Sequence, residues 1–219
     1  SGTGQAGIIV KPGIVNVINS SFDGIGGRQP DAWFDASIYT PGTTTSNLGF
    51  LTGQSAGADN ALVIDFNGYA HVAFNNFGTV SQKVYINGDF AFAVKIVFPS
   101  TLYSYRNKYA RIRPMGNSSR QDVPINKVMD IAYTHTTGGN IDQDYVLYAY
   151  RVGGIINAYI NDEQVINNVV DNSTAELKLG SNENYACAEL IHYNQTLTQA
   201  ESDGLRNYML EKYKIGPYA

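Results

Sequence analysis

Only one cysteine, Cys187, occurs in the 219 residues, so no intrachain disulfide can form and a disulfide-stapled scaffold is excluded. Cys187 lies inside an apolar run and reads as a small buried hydrophobe. Charge is scarce too. Asp, Glu, Lys and Arg make up 16% of the chain, against roughly 25% in ordinary soluble proteins. The net charge of −4 gives no bulk attraction to nucleic acid or to an anionic membrane. No apolar run approaches the roughly 18 residues of a membrane-spanning helix. Three scattered histidines and one cysteine cannot build a structural zinc site. Glutamate is limited to Glu163, Glu176, Glu183, Glu189, Glu201 and Glu211.

What remains is a hydrophobic fraction of 43%, enough for a core, and a polar surface drawn from Asn, Thr, Ser, Gln, Gly and Tyr. Sixteen tyrosines beside one tryptophan fit that surface, because tyrosine covers area and still hydrogen-bonds. This is the composition of extracellular β-proteins and adhesive surfaces.

Strand signals recur at 8–10, 14–18, 32–39, 61–66, 69–74, 83–86, 90–98, 109–113, 128–133, 145–152, 155–160, 164–169, 177–180 and 186–193. Asn67-Gly68 and Asn87-Gly88 carry the chemistry of type I′ hairpin turns, and Gly153-Gly154 joins two strong strands in the same way. Asn161-Asp162 precedes a further hairpin strand. Residues 41–60 and 115–127 read as long surface loops. One amphipathic helix is expected, near residues 198–212. Thr198 and Glu201 form a capping box, Leu205, Tyr208, Met209 and Tyr213 share a face, and Gly216-Pro217 stops it.

The close of the chain, LGS…AELIHYNQTLTQAESDGLRNYMLEKY, resembles the concanavalin A-like, laminin-G-like jelly-roll domains. The segments DAWFDAS, DFAFAVKIVF and YVLYAYRVGGIINAYINDEQV resemble that family's opening strand, central buried strand and long hairpin. The resemblance runs roughly from Asp31 to Tyr213. It implies an all-β, two-sheet antiparallel jelly-roll sandwich with one C-terminal helix, in a domain spanning 28–219. Residues 1–27 have no counterpart and are read as an arm or linker able to add to a neighbour's sheet, which would support a homo-oligomer. Ser1 to Gly7 read as a linker or a processed end.

Catalytic motifs are missing or misplaced. Gly53-Gln54-Ser55-Ala56-Gly57 matches the nucleophile elbow, but it lacks the strand before and the helix after. Hydrolases of the resembled fold place carboxylates on alternate positions of one strand, and none of the six glutamates starts such a run. No catalytic residue is assigned, and the chain is expected not to be an enzyme; a polysaccharide hydrolase or lyase is the third reading. Glu189 matches the family's alanine-glutamate strand and is expected to be structural.

Two candidate sites stand beside plainer readings. Tyr103, Tyr105 and Tyr109 share parity in an extended strand, and Arg106 and Lys108 take the other face. Tyr103, Tyr105, Arg106 and Asn107 are therefore candidate sugar contacts, although core tyrosines with solvated cations give the same alternation. Asn140, Asp142 and Asp144 offer alternate oxygen ligands of the kind calcium prefers, but the favoured reading is a solvated hairpin loop. The twelfth position of an EF-hand loop counted from Asn140 is Arg151, not glutamate. The leading expectation is a non-enzymatic carbohydrate- or receptor-binding module on a phage virion or bacterial surface, whose partner is a cell-surface glycan. The alternative is a structural virion protein, a decoration, fibre or tail component that contacts other virion or surface proteins. Neither involves nucleic acid or membrane insertion.

Overall fold

The computed structural model describes residues 8–11, 14–17, 22, 24–45, 61–74, 81–86, 88–101, 113–114, 142–170, 175–180 and 185–219. Among the described residues fourteen strands and one α-helix follow in order. They are β1 (Ile8–Lys11), β2 (Ile14–Val17), β3 (Ala32–Asp35), β4 (Thr44–Thr45), β5 (Ala61–Phe66), β6 (Tyr69–Phe74) and β7 (Ser81–Ile86). After these come β8 (Phe90–Val97), β9 (Arg113–Pro114), β10 (Asp144–Val152), β11 (Ile155–Ile160), β12 (Glu163–Val170), β13 (Ala175–Gly180), β14 (Tyr185–Tyr193) and α1 (Gln199–Lys212). A nine-stranded antiparallel sheet runs β12-β11-β10-β8-β14-β6-β5-β4, with β3 also paired to β14. A three-stranded sheet runs β7-β13-β9. The architecture is the expected antiparallel sandwich of jelly-roll type with a C-terminal helix.

Strands β8 and β14 are buried along their whole length, and β10 nearly so, which requires cover on both faces of the sheet centre. Register shows how α1 fits. Ala91 and Ala93 of β8 lie opposite Tyr150 and Tyr148 of β10, and opposite Tyr193 and Ile191 of β14. Paired residues share a face. The two alanines lower that face where α1 packs on β8 and β10. Leu205, Met209 and Leu210 are the buried apolar residues of the helix, and Tyr213 at its C-cap is buried with them. The capping box is present: Glu201 N–H donates to Thr198 Oγ1 at 3.2 Å, and Thr198 N–H donates to the Glu201 carboxylate at 2.7 Å. Those bonds hold the Glu201 carboxyl below the usual carboxylate range.

The turns divide. Asn67-Gly68 joins β5 to β6, with both residues at positive φ as a type I′ turn requires. Gly153-Gly154 joins β10 to β11, with φ of 57° and 77°. Asn87-Gly88 does not close a hairpin. β7 pairs with β13, and β8 pairs with β10 and β14, so the chain changes sheet between β7 and β8; Asn87 itself lies outside the described residues. The reason lies in what holds it. The Arg151 guanidinium donates to the Gly88 carbonyl, and Asp89 accepts Gly153 N–H at 2.9 Å and Thr196 O–H at 2.6 Å. The segment is tied to the β10–β11 turn instead of folding back on β7.

The opening strand is shorter than its 32–39 pattern. Asp35 caps a 3-10 turn, Ala36–Ile38, by accepting Ser37 N–H at 2.8 Å. Phe22 lies in the main core, 4.6 Å from the Tyr208 ring and 5.3 Å edge-on from Trp33. Among the described residues β1 and β2 pair only with each other. The core therefore includes Phe22, a residue of the segment read as an arm or linker.

Candidate functional site

A groove of about 590 Å³ opens where the β10–β11–β12 side of the large sheet meets the start of α1. That volume lies within the roughly 300–1,000 Å³ of small-molecule sites. Its floor is Tyr150, Val152 and Ile155, and Leu197 adds apolar surface from the helix side. Asn157, Asn168, Thr196, Thr198, Gln199 and Arg28 supply the polar rim. Among the described residues no Asp or Glu lines it.

Each wall has a local cause. Residues 167 and 168 both oppose Asn157, so β12 bulges, and Asn168 takes a left-handed φ of 50°. Asn157 Oδ1 staples the bulge by accepting Asn168 N–H at 2.9 Å and Gln164 Nε2 at 3.0 Å. On the helix side Tyr150 O–H donates to Gln199 Oε1 at 3.0 Å, and Gln199 Nε2 donates to Asp203 at 3.0 Å. Arg28 arrives from a tight turn at Gly26-Gly27, closed by Ile25 and Arg28 backbone bonds of 3.1 and 2.9 Å. Tyr193 braces that turn, accepting Ile25 N–H and donating to Arg28 C=O, both at 3.1 Å. Burial pushes the Tyr193 phenol up to about 12.

After these bonds the rim keeps capacity. The Thr198 hydroxyl accepts from Glu201 and still has its proton to give. Among the described residues Gln199 and Asn157 each keep one amide hydrogen, and Asn168 keeps both of its own. Arg28 is engaged, donating to Thr196 C=O at 2.8 Å and lying 3.3 Å from Glu201. The groove thus presents an aromatic and aliphatic floor beside neutral donors and acceptors.

A second cluster is structural, as expected for Glu189. This carboxylate is fully buried and accepts from Trp33 Nε1 at 2.9 Å, Lys212 Nζ at 2.7 Å, Tyr213 O–H at 3.0 Å and Tyr208 O–H at 3.3 Å. Lys212 also reaches Asp35 at 3.1 Å. Burial works against the Lys212 charge, but Glu189 and Asp35 more than offset it and hold the ammonium above the ordinary lysine value. This knot fastens the end of α1 to β3 and β14.

A third cluster sits under the same helix end. Lys95 of β8 is fully buried, 2.5 Å from Asp144 Oδ1 and 3.3 Å from His71 Nε2. His71 Nδ1 donates to Tyr69 C=O at 2.8 Å, so Nε2 is the ring's acceptor. Burial, then Lys95, hold His71 down at about 3, far below its ordinary 6.5. The unfolded chain therefore takes up a proton near pH 6.5 that the folded protein refuses until about pH 3. Stability from this group is complete above pH 6.5 and is lost as pH falls. Between pH 6.5 and 5 the expected loss is about 1.5 kcal/mol. Urea unfolding at both pH values, set against His71→Gln, checks it; equal pH slopes would contradict a buried neutral imidazole.

The candidates from the sequence fall as follows. Tyr103, Tyr105, Arg106 and Asn107 lie outside the described residues, as do Asn140 and the Gly53–Gly57 motif. Asp142 Oδ1 accepts Ser100 N–H at 2.7 Å. Asp144 is engaged on both oxygens, by Lys95 and by Asn67 Nδ2 at 3.0 Å. Among the described residues no three His, Cys, Asp or Glu groups converge as a metal set. The groove was missed. Its one local signal is Asn167-Asn168, which interrupts the apolar run of β12 and marks the bulge.

No protein-family model matches the chain, and no curated protein matches it. Among solved structures it is similar to domain 4 of AbnA, a GH43 extracellular arabinanase from Geobacillus stearothermophilus, in complex with arabinotriose. Identity is 15% over 81% of this chain and 98% of that one, with a TM-score of 0.39. Trypanosoma rangeli sialidase is 10% identical over 84% of this chain and 33% of that chain, with a TM-score of 0.38. The VIP36 exoplasmic/lumenal domain in its metal-free form is 11% identical over 60% of this chain and 82% of its own, with a TM-score of 0.30. At these scores the functional reading rests on the chemistry of the groove.

Proposed function

We propose that this chain is a non-enzymatic carbohydrate-binding module that holds a neutral glycan in the groove between β10–β12 and the start of α1. The observation that carries the reading is the lining itself. Tyr150, Val152 and Ile155 offer an apolar floor for the C–H face of a sugar ring, and Asn157, Asn168, Thr198 and Gln199 offer hydrogen bonds for its hydroxyls. Hydrolysis of a glycosidic bond ordinarily needs two carboxyl groups flanking it, and among the described residues the groove lining contains none. Arg28 is already paired with Glu201, which favours a neutral ligand over an acidic one. The low charge and the Asn-, Thr- and Tyr-rich composition support work at a virion or cell surface.

A glycan array of the wild-type chain and two variants tests this reading. Val152 is 38% exposed, so Val152→Trp should fill the groove and abolish binding with little change in melting temperature. Gln199→Ala removes one donor and should weaken binding about fivefold, the equivalent of roughly 1 kcal/mol. Glycan binding that survives Val152→Trp would remove the groove from the site.

A second reading, a protein-contact role in an assembled particle, is favoured by one observation. β1 and β2 form an apolar hairpin that, among the described residues, pairs with no other strand. Deleting residues 1–17 should then change the sedimentation of the protein while leaving glycan binding intact.

A further inference from the structure

We propose that Lys95 and Asp144 condense within the folded chain into an intramolecular amide that cross-links β8 to β10. The geometry is that of a reactant pair. Lys95 lies opposite Val146 in the ladder, and Asp144 is the same-face residue two positions along. The Lys95 ammonium is fully buried, with Nζ 2.5 Å from Asp144 Oδ1 and 5.3 Å from the centre of the Tyr213 ring. Holding nucleophile and carboxyl at this distance converts a bimolecular condensation into a unimolecular one.

The neighbours orient the pair. His71 Nε2, with its lone pair fixed by the Nδ1 bond to Tyr69, accepts a hydrogen bond from Lys95 Nζ at 3.3 Å and orients the amine. Asn67 Nδ2 donates to Asp144 Oδ2 at 3.0 Å and polarises the carboxyl group. Burial also pushes the Lys95 ammonium towards its neutral, nucleophilic form. The Asp144 side chain is 24% exposed, which leaves an exit for water.

The step balances without a co-reactant. The freed amine attacks Asp144 Cγ, a C–N bond forms, and the C–O bond to one carboxylate oxygen breaks. Of the three ammonium protons, one passes directly to Asp144 across the 2.5 Å contact, a second follows it to the same oxygen so that both leave as water, and the third stays on the amide nitrogen. No oxidation state changes. The product replaces a buried charge pair, which costs desolvation on both partners, with a neutral amide.

Intact-mass measurement of the full chain decides the matter, followed by tryptic digestion and tandem mass spectrometry. The expected mass is one water below the sequence mass, with no cleavage after Lys95 and a branched peptide joining Lys95 to Asp144. Lys95→Arg, which keeps the charge, should have its full sequence mass. His71→Gln should retain a measurable uncondensed fraction; complete condensation at the wild-type rate would overturn the role given to His71. A wild-type chain at full sequence mass, or a water loss that maps to an unbranched peptide, would overturn the cross-link.

Discussion

Replacing Glu189 with alanine should destabilise the fold by about 3–5 kcal/mol, the usual consequence of removing one partner from a buried ion pair. In a chain of this size that lowers the melting temperature by roughly 10 °C or more. The reason is local. Glu189 accepts four hydrogen bonds in a site with no solvent access, and its loss leaves Trp33 Nε1 and the Tyr213 hydroxyl without an acceptor. It also leaves Lys212 facing Asp35 alone. Glu189→Gln keeps the shape and an acceptor for Trp33 but removes the charge, so its loss should be smaller. Calorimetric melting of both variants checks the order; equal effects would mean that packing, not charge, dominates the knot.

Phe22→Ala should cost about 3–5 kcal/mol as well, the range for a buried phenylalanine that leaves a cavity. Phe22 is 6% exposed and packs between Trp33 and Tyr208, so it joins the opening strand to the helix. Had residues 1–27 formed only an arm, the same substitution would leave denaturant unfolding unchanged. The contrast is large enough to be read from one urea titration.

The strands were legible because alternation and β-branched runs report burial directly. The ladder from β10 to β12 stands within one residue of its sequence pattern. Turns were legible only when the flanking strands are partners. Asn67-Gly68 and Asn87-Gly88 look alike in sequence, yet Arg151 binds Gly88 and Gly153 binds Asp89, which ties that segment to a distant turn. Phe22 was overlooked because nothing local distinguishes one phenylalanine among Ser, Asp and Gly from an arm residue. Glu189 stood out as a charge inside an apolar run, but Asp35 and Lys212 approach it from 154 positions before and 23 positions after. The groove was the least legible feature. Its residues come from the Gly26-Gly27 turn, a hairpin, a bulge and a helix start, and only folding brings them together.

Backbone amide chemical shifts, followed while the best-binding oligosaccharide from the array is titrated in, test the central claim most directly. The account predicts saturable shifts confined to Arg28, Val152, Ile155, Asn157, Asn168 and the stretch from Thr196 to Gln199. Shifts centred instead on Tyr103, Tyr105, Arg106 and Asn107, or no shifts with any glycan, would contradict it.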